Sequence, residues 1–108
     1  MTVADLRDLP VYDDRNEKIG AVDSVRMGLD GRAYIVVDHG GFLGLGDKQV
    51  LLPADRFRYS GDRLIAAGLS NDAFRALPEF ERSQAYKHML DDETTQIPIS
   101  GEANNSHS

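Results

Sequence analysis

The chain has 108 residues, 41% of them hydrophobic and 28% charged, a balance that suits one small globular domain with a single core. Its formal charge of −6, from 18 acidic against 12 basic side chains, offers no basic footprint for neutralising phosphates, so nucleic acid is not an expected partner. The absence of cysteine removes disulfides, a thiolate nucleophile and Cys-based zinc sites, and no stretch approaches the ~20 apolar residues of a membrane span. With no signal-peptide core at the N-terminus, the expected location is cytoplasmic, without direct membrane insertion.

Short apolar runs recur along the first 78 residues at spacings that suit an all-β module. They predict six strands, at Leu9 to Tyr12, Ile19 to Met27, Ala33 to His39, Gln49 to Leu52, Phe57 to Tyr59 and Leu64 to Ala67. Asp13 to Glu17 forms a polar five-residue connection. Asp30-Gly31 predicts a type I′ hairpin turn, and Gly61-Asp62 a type II′ turn. In the second strand Ile19, Val22 and Val25 break the period of two, whereas Ile19, Ala21, Val25 and Met27 keep it. Either Asp23 faces inward or a bulge shifts the phase, with Gly20 the expected place. Such curvature closes a small barrel.

Between the third and fourth runs lies a glycine-rich loop, Gly40-Gly41-Phe42-Leu43-Gly44-Leu45-Gly46, which carries three large apolar side chains where loops are normally polar. After the strands, Leu69 to Pro78 reads as a short helix near 70–77, with Ser70 as N-cap, Asp72 in the first turn, and Leu69 and Phe74 at the two ends of a hydrophobic staple. The composition changes at Pro78: residues 1–78 carry a net charge of −2 and residues 79–108 one of −4. Phe80, Tyr86, Met89 and Leu90 predict a weak helix over 79–90. From Asp91 onward the polar chain, with only Ile97 and Ile99 flanking Pro98, reads as a disordered tail. The domain therefore covers 1–78 and the extension 79–108.

The order of these pieces resembles the PRC-barrel domain. The resemblance rests on Leu9-Pro10-Val11-Tyr12, Glu17 to Val22, Asp30-Gly31, Tyr34 to Val37, the glycine loop through Lys48, Val50-Leu51-Leu52-Pro53 and the closing Leu69-Ser70 with Leu77-Pro78. It implies a small closed or partly open barrel of about six antiparallel strands followed by a short helix, and a binding or adaptor module rather than an enzyme. Family members include the cytoplasmic part of the photosynthetic reaction centre H subunit, the C-terminal domain of the ribosome maturation factor and stand-alone prokaryotic proteins. The resemblance thus also implies two alternatives: an accessory factor of a membrane electron-transfer complex assisting proton uptake, and an RNA-processing or ribosome-associated binding module.

The residues themselves offer little catalytic chemistry. A phosphate-binding reading of Gly41 to Gly46 fails because Asp47 stands at the lysine position and the next element reads as a strand, not a helix. Asp38 and His39 are the candidate proton carriers, since an imidazole titrates near neutrality; the structural alternative is a hydrogen-bonded surface histidine at a strand end. The histidines at 39, 88 and 107 are too scattered for a metal site, and no nucleophile elbow exists. Arg56 and Arg58 alternate with Phe57 and Tyr59, which places the aromatics in the core and the arginines in water, paired with Asp55 or Asp62. The expectation is a non-enzymatic, cofactor-free interaction module that self-associates as a homodimer, with Gly40, Gly41, Phe42, Leu43, Gly44, Leu45 and Gly46 as the candidate contact surface; the structural alternative is a tight connection whose Phe42, Leu43 and Leu45 fold back to plug a barrel mouth.

Overall fold

The computed structural model describes residues 1–39, 48–78, 86–89 and 94–101. Its elements in chain order are α1 (Val3–Leu6), β1 (Pro10–Tyr12), β2 (Lys18–Gly28), β3 (Ala33–His39), β4 (Lys48–Pro53), a 3-10 turn (Ala54–Arg56), β5 (Phe57–Ser60), β6 (Arg63–Ala66), α2 (Asn71–Ala76), β7 (Tyr86–Met89) and β8 (Ser100–Gly101). The six expected strands are all present. Together with β8 they curve into a half-barrel in the order β4-β3-β2-β1-β6-β5-β8, with β7 pairing the second half of β2. The sheet is mixed: the expectation of antiparallel strands fails where β1 runs parallel to β6 and β8 parallel to β5. The β1–β2 and β5–β6 hairpins meet edge to edge, through the parallel pairs Val11–Leu64 and Tyr12–Ile65.

Two hairpins close with the same turn. In Asp13–Glu17 the Asn16 amide donates to Asp13 O and the Asp13 amide to Glu17 O, and Asn16 adopts φ 67°. In Gly28–Arg32 the Gly31 amide donates to Gly28 O and the Gly28 amide to Arg32 O, with Gly31 at φ 81°. Both are type I turns followed by one left-handed residue, the three-residue hairpin solution. This corrects the type I′ expectation, because with three loop residues only the last needs positive φ. At the third hairpin Gly61 has φ 70°, as its first-position assignment requires, but the Asp62 amide bonds back to Ser60 O at 2.8 Å, a tighter closure than a type II′ turn.

The phase problem in β2 resolves into two irregularities. Asp23 is the extra residue against β3, where Val22 pairs Val37 and Ser24 pairs Val36. A second shift falls beside Gly20, between the pairs Val11–Gly20 and Tyr12–Lys18. Asp23 is therefore exposed, and Ile19, Val22 and Val25 all reach the core at a spacing of three, with Met27 packed against it. They meet Ile35, Val37, Val50, Leu52, Phe57 and Leu64 from the other strands.

Sequence reading missed α1. Its capping box is complete: Thr2 Oγ accepts from the Asp5 amide and Asp5 Oδ2 from the Thr2 amide, each at 3.1 Å. The four-residue helix delivers Val3 and Leu6, both fully buried, to the core. At α2 the reading holds: Ser70 Oγ caps the Ala73 amide at 3.1 Å, and Leu69 and Phe74 pack on the same core.

Past Pro78 two expectations change. Residues 86–89 form a strand, not part of a helix over 79–90, because β2 outruns β1 and leaves the edge at Arg26–Gly28 for β7 to pair. Residues 94–101 are an ordered strap, not a disordered tail. Its Ile97 and Ile99 are 2% and 8% exposed, and its backbone bonds to the N-terminal segment through Val3 N to Thr95 O and Ile97 N to Met1 O. Two apolar residues separated by one proline lie on the same face of an extended chain, so even a polar segment can dock when the barrel offers a slot for both. Residues 79–85, 90–93 and 102–108 lie outside the described residues.

Candidate functional site

The glycine loop leaves β3 after His39 and enters β4 at Lys48, and these two residues are directly paired across the strands. Residues 40–47, and with them the candidate contacts Gly40, Gly41, Phe42, Leu43, Gly44, Leu45 and Gly46, lie outside the described residues; their stem does not. The element that follows is a strand, as the rejection of a phosphate loop requires.

Alternation along β3 turns His39 into the barrel with Ile35 and Val37, and Asp38 to the opposite face. The imidazole is 5% exposed and its Nδ1 lies 2.8 Å from Ile19 O; a carbonyl only accepts, so Nδ1 carries the proton. The ring packs on Phe74 of α2, with centroids 6.0 Å apart. His39 is thus hydrogen-bonded, but not the surface residue that its place at a strand end suggested, and adjacency in sequence does not make Asp38 its partner. Gly20 stands opposite His39, and a Cβ there would overlap the Asp38 carbonyl oxygen. Only glycine lets β2 and β3 approach at this point.

The other side of the stem is tied to the same helix. Lys48 Nζ donates to Arg75 O at 2.8 Å, at the C-terminal end of α2, where a cation also meets the negative end of the helix. One short helix therefore fastens both ends of the loop: Phe74 over His39, and the Arg75 carbonyl on Lys48.

Nearby, the β1–β2 hairpin carries Asp13, 1% exposed. Its Oδ1 accepts the Arg15 and Glu17 amides at 2.8 and 2.9 Å, while Oδ2 has no hydrogen-bond partner. Asp14 Oδ2 accepts the Gly68 amide and Asn16 Oδ1 accepts from Arg63, so this hairpin is clamped to the β5–β6 hairpin and the start of the α2 segment. The acidic run read as a solvated surface is in part a set of turn and clamp acceptors. Phe57 is buried and Tyr59 packs on the core, while Arg56 and Arg58 are exposed, as their alternation predicted. Asp55 and Asp62, however, pair with Arg32 and Arg63.

At the other end of β3 lies a cleft of about 370 Å³. Met27, Ala33, Ala54 and Ile97 form its apolar part, and the Arg32–Asp55 pair, 3.8 Å apart, borders it. One wall is the strap, Thr95 to Pro98. Sequence reading missed this cleft because that wall fell in the segment read as disordered; the isolated Ile97-Pro98-Ile99 was the available signal.

Strand order, half-barrel curvature and a fastened His39–Lys48 stem define a small β-barrel module. The PRC-barrel domain family model matches residues 1–70, and the chain belongs to that family. Comparison with curated proteins found no match. The family match ends at residue 70, so Phe74, the Arg75 carbonyl and the strap lie beyond the matched residues. Among the described residues no helix is long and apolar enough to cross a membrane.

Proposed function

We propose that this PRC-barrel chain is a non-enzymatic protein-interaction module that self-associates through the 40–46 loop. The observation that carries this reading is the stem: a helix lying beyond the family-matched residues fastens both His39 and Lys48, and so fixes where the loop emerges. Binding residues are characteristically displayed on loops held by a rigid scaffold, because the ordering cost on association is then reduced. Phe42, Leu43 and Leu45 supply the apolar anchors, and the flanking glycines let a partner's backbone approach closely.

The test is Phe42→Ser combined with Leu43→Ser. At about 1 kcal/mol for each apolar anchor, self-association measured by sedimentation velocity weakens about 30-fold. The circular dichroism spectrum and unfolding midpoint stay close to those of the parent. Association that persists unchanged in the double variant overturns the loop assignment.

A further inference from the structure

The cleft at the far end of β3 has three features that suit one kind of occupant. Its volume, about 370 Å³, lies at the small end of ligand-site sizes and accommodates a few apolar side chains against Met27, Ala33, Ala54 and Ile97. Its strap wall presents a strand edge. Thr2 and Gln96 are bridge partners, and the bonds beside them run between Val3 and Thr95 and between Ile97 and Met1. The Gln96 amide and carbonyl therefore point away from Thr2, the side on which an added extended backbone pairs. Finally, Arg32 sits at the border, 65% exposed and 3.8 Å from Asp55, a loose pair that a second carboxylate can enter.

A glycine-flanked segment with closely spaced large apolar residues and a nearby carboxylate suits such a cleft, and this chain contains one: Gly40 to Asp47. It cannot fill the cleft of its own molecule. From the His39–Lys48 pair an eight-residue excursion reaches at most about 16 Å, whereas the cleft lies six strand steps down β3, roughly 20 Å away. We infer that the cleft is the acceptor for the 40–47 loop of a second copy, so that self-association is head to tail. The inference rests on the loop-mediated self-association proposed above and names the surface that receives the loop. A contact between two different surfaces does not close on itself as a two-fold dimer does; it continues into chains or rings.

Complementation tests this directly. One variant carries Phe42→Ser and Leu43→Ser and keeps its cleft; another carries Arg32→Glu, which sets a carboxylate against Asp55 and the incoming Asp47, and keeps its loop. Ala33→Phe, which fills the cleft, serves as a second cleft variant, and thermal melts verify the fold of each. In sedimentation velocity the parent is expected to form a concentration-dependent series beyond the dimer. Each variant alone is monomeric at the concentrations where the parent associates, and an equimolar mixture forms a one-to-one heterodimer that grows no further. Head-to-tail docking is overturned if folded cleft variants associate as the parent does, or if the mixture remains monomeric; in the first case loop-mediated association by another surface survives. A parent that is monomeric at every concentration overturns both readings.

Discussion

At the scale of single residues, Gly20 and Asp30 show how local chemistry is set by neighbours distant in sequence. Gly20 lies where β2 passes closest to β3, and any side chain there would strike the Asp38 backbone rather than a movable side chain. Gly20→Ala is expected to cost about 3 kcal/mol, the upper range for forcing atoms into packed space, read as a lowered urea midpoint. Asp30 is held below the usual aspartate value first by the Tyr34 hydroxyl and then by the Arg32 amide, both of which bond to its ionised form. Because the folded value is lowered, the group's stabilisation is complete above the ordinary 3.8 and is lost as pH falls through the folded value. An NMR titration of the Asp30 carboxyl is expected to show a midpoint below 3.8 that moves back up in Tyr34→Phe; an unmoved midpoint contradicts the hydroxyl as the main cause. His39 carries the same lesson. Its sequence position suggested a surface group, yet the inward parity of β3 and the placement of Phe74 bury it.

At the scale of elements, local signals and distant partners divide the outcome. The six strands and α2 follow from alternation, turn chemistry and the Ser70 cap, all readable within a few residues. The exceptions are segments whose structure depends on an acceptor elsewhere in the chain. Residues 86–89 are a strand because β2 has a free edge, and residues 94–101 are ordered because the core accepts Ile97 and Ile99. Ile97→Ala removes a side chain that is 2% exposed and should destabilise the fold by about 2–5 kcal/mol. In urea denaturation the midpoint falls with the slope unchanged, in one transition. A loss below about 0.5 kcal/mol, the ordinary surface range, contradicts the strap's place in the core.

At the scale of the whole molecule, the family-matched barrel is continued by segments beyond residue 70. The match to residues 1–70 covers the six strands that carry most of the core, while α2 and the strap lie beyond it and work at opposite ends. One holds the stem of the glycine loop; the other supplies a wall of the cleft and two isoleucines to the interior. The proposed head-to-tail arrangement uses that polarity, because the stem of the loop and the cleft are separated by the length of β3. It also makes the boundary at Pro78 a compositional one only, since the strap's backbone and side chains are integrated with the first three residues and with β5.

The sequence by itself determined the strands, their hairpins, the capped helix and the membership implied by their order, because each rests on short-range periodicity or on a residue required by a turn. The loop's apolar residues were legible in the same way, as an anomaly of composition. Only the tertiary structure decided that His39 is buried and faces away from Asp38, that β1 and β6 run parallel, and that a polar tail returns to complete the core and build a cleft. These depend on contacts between residues tens of positions apart, and hydrophobic burial is non-directional: it rewards whichever distant surface the folded chain brings within reach.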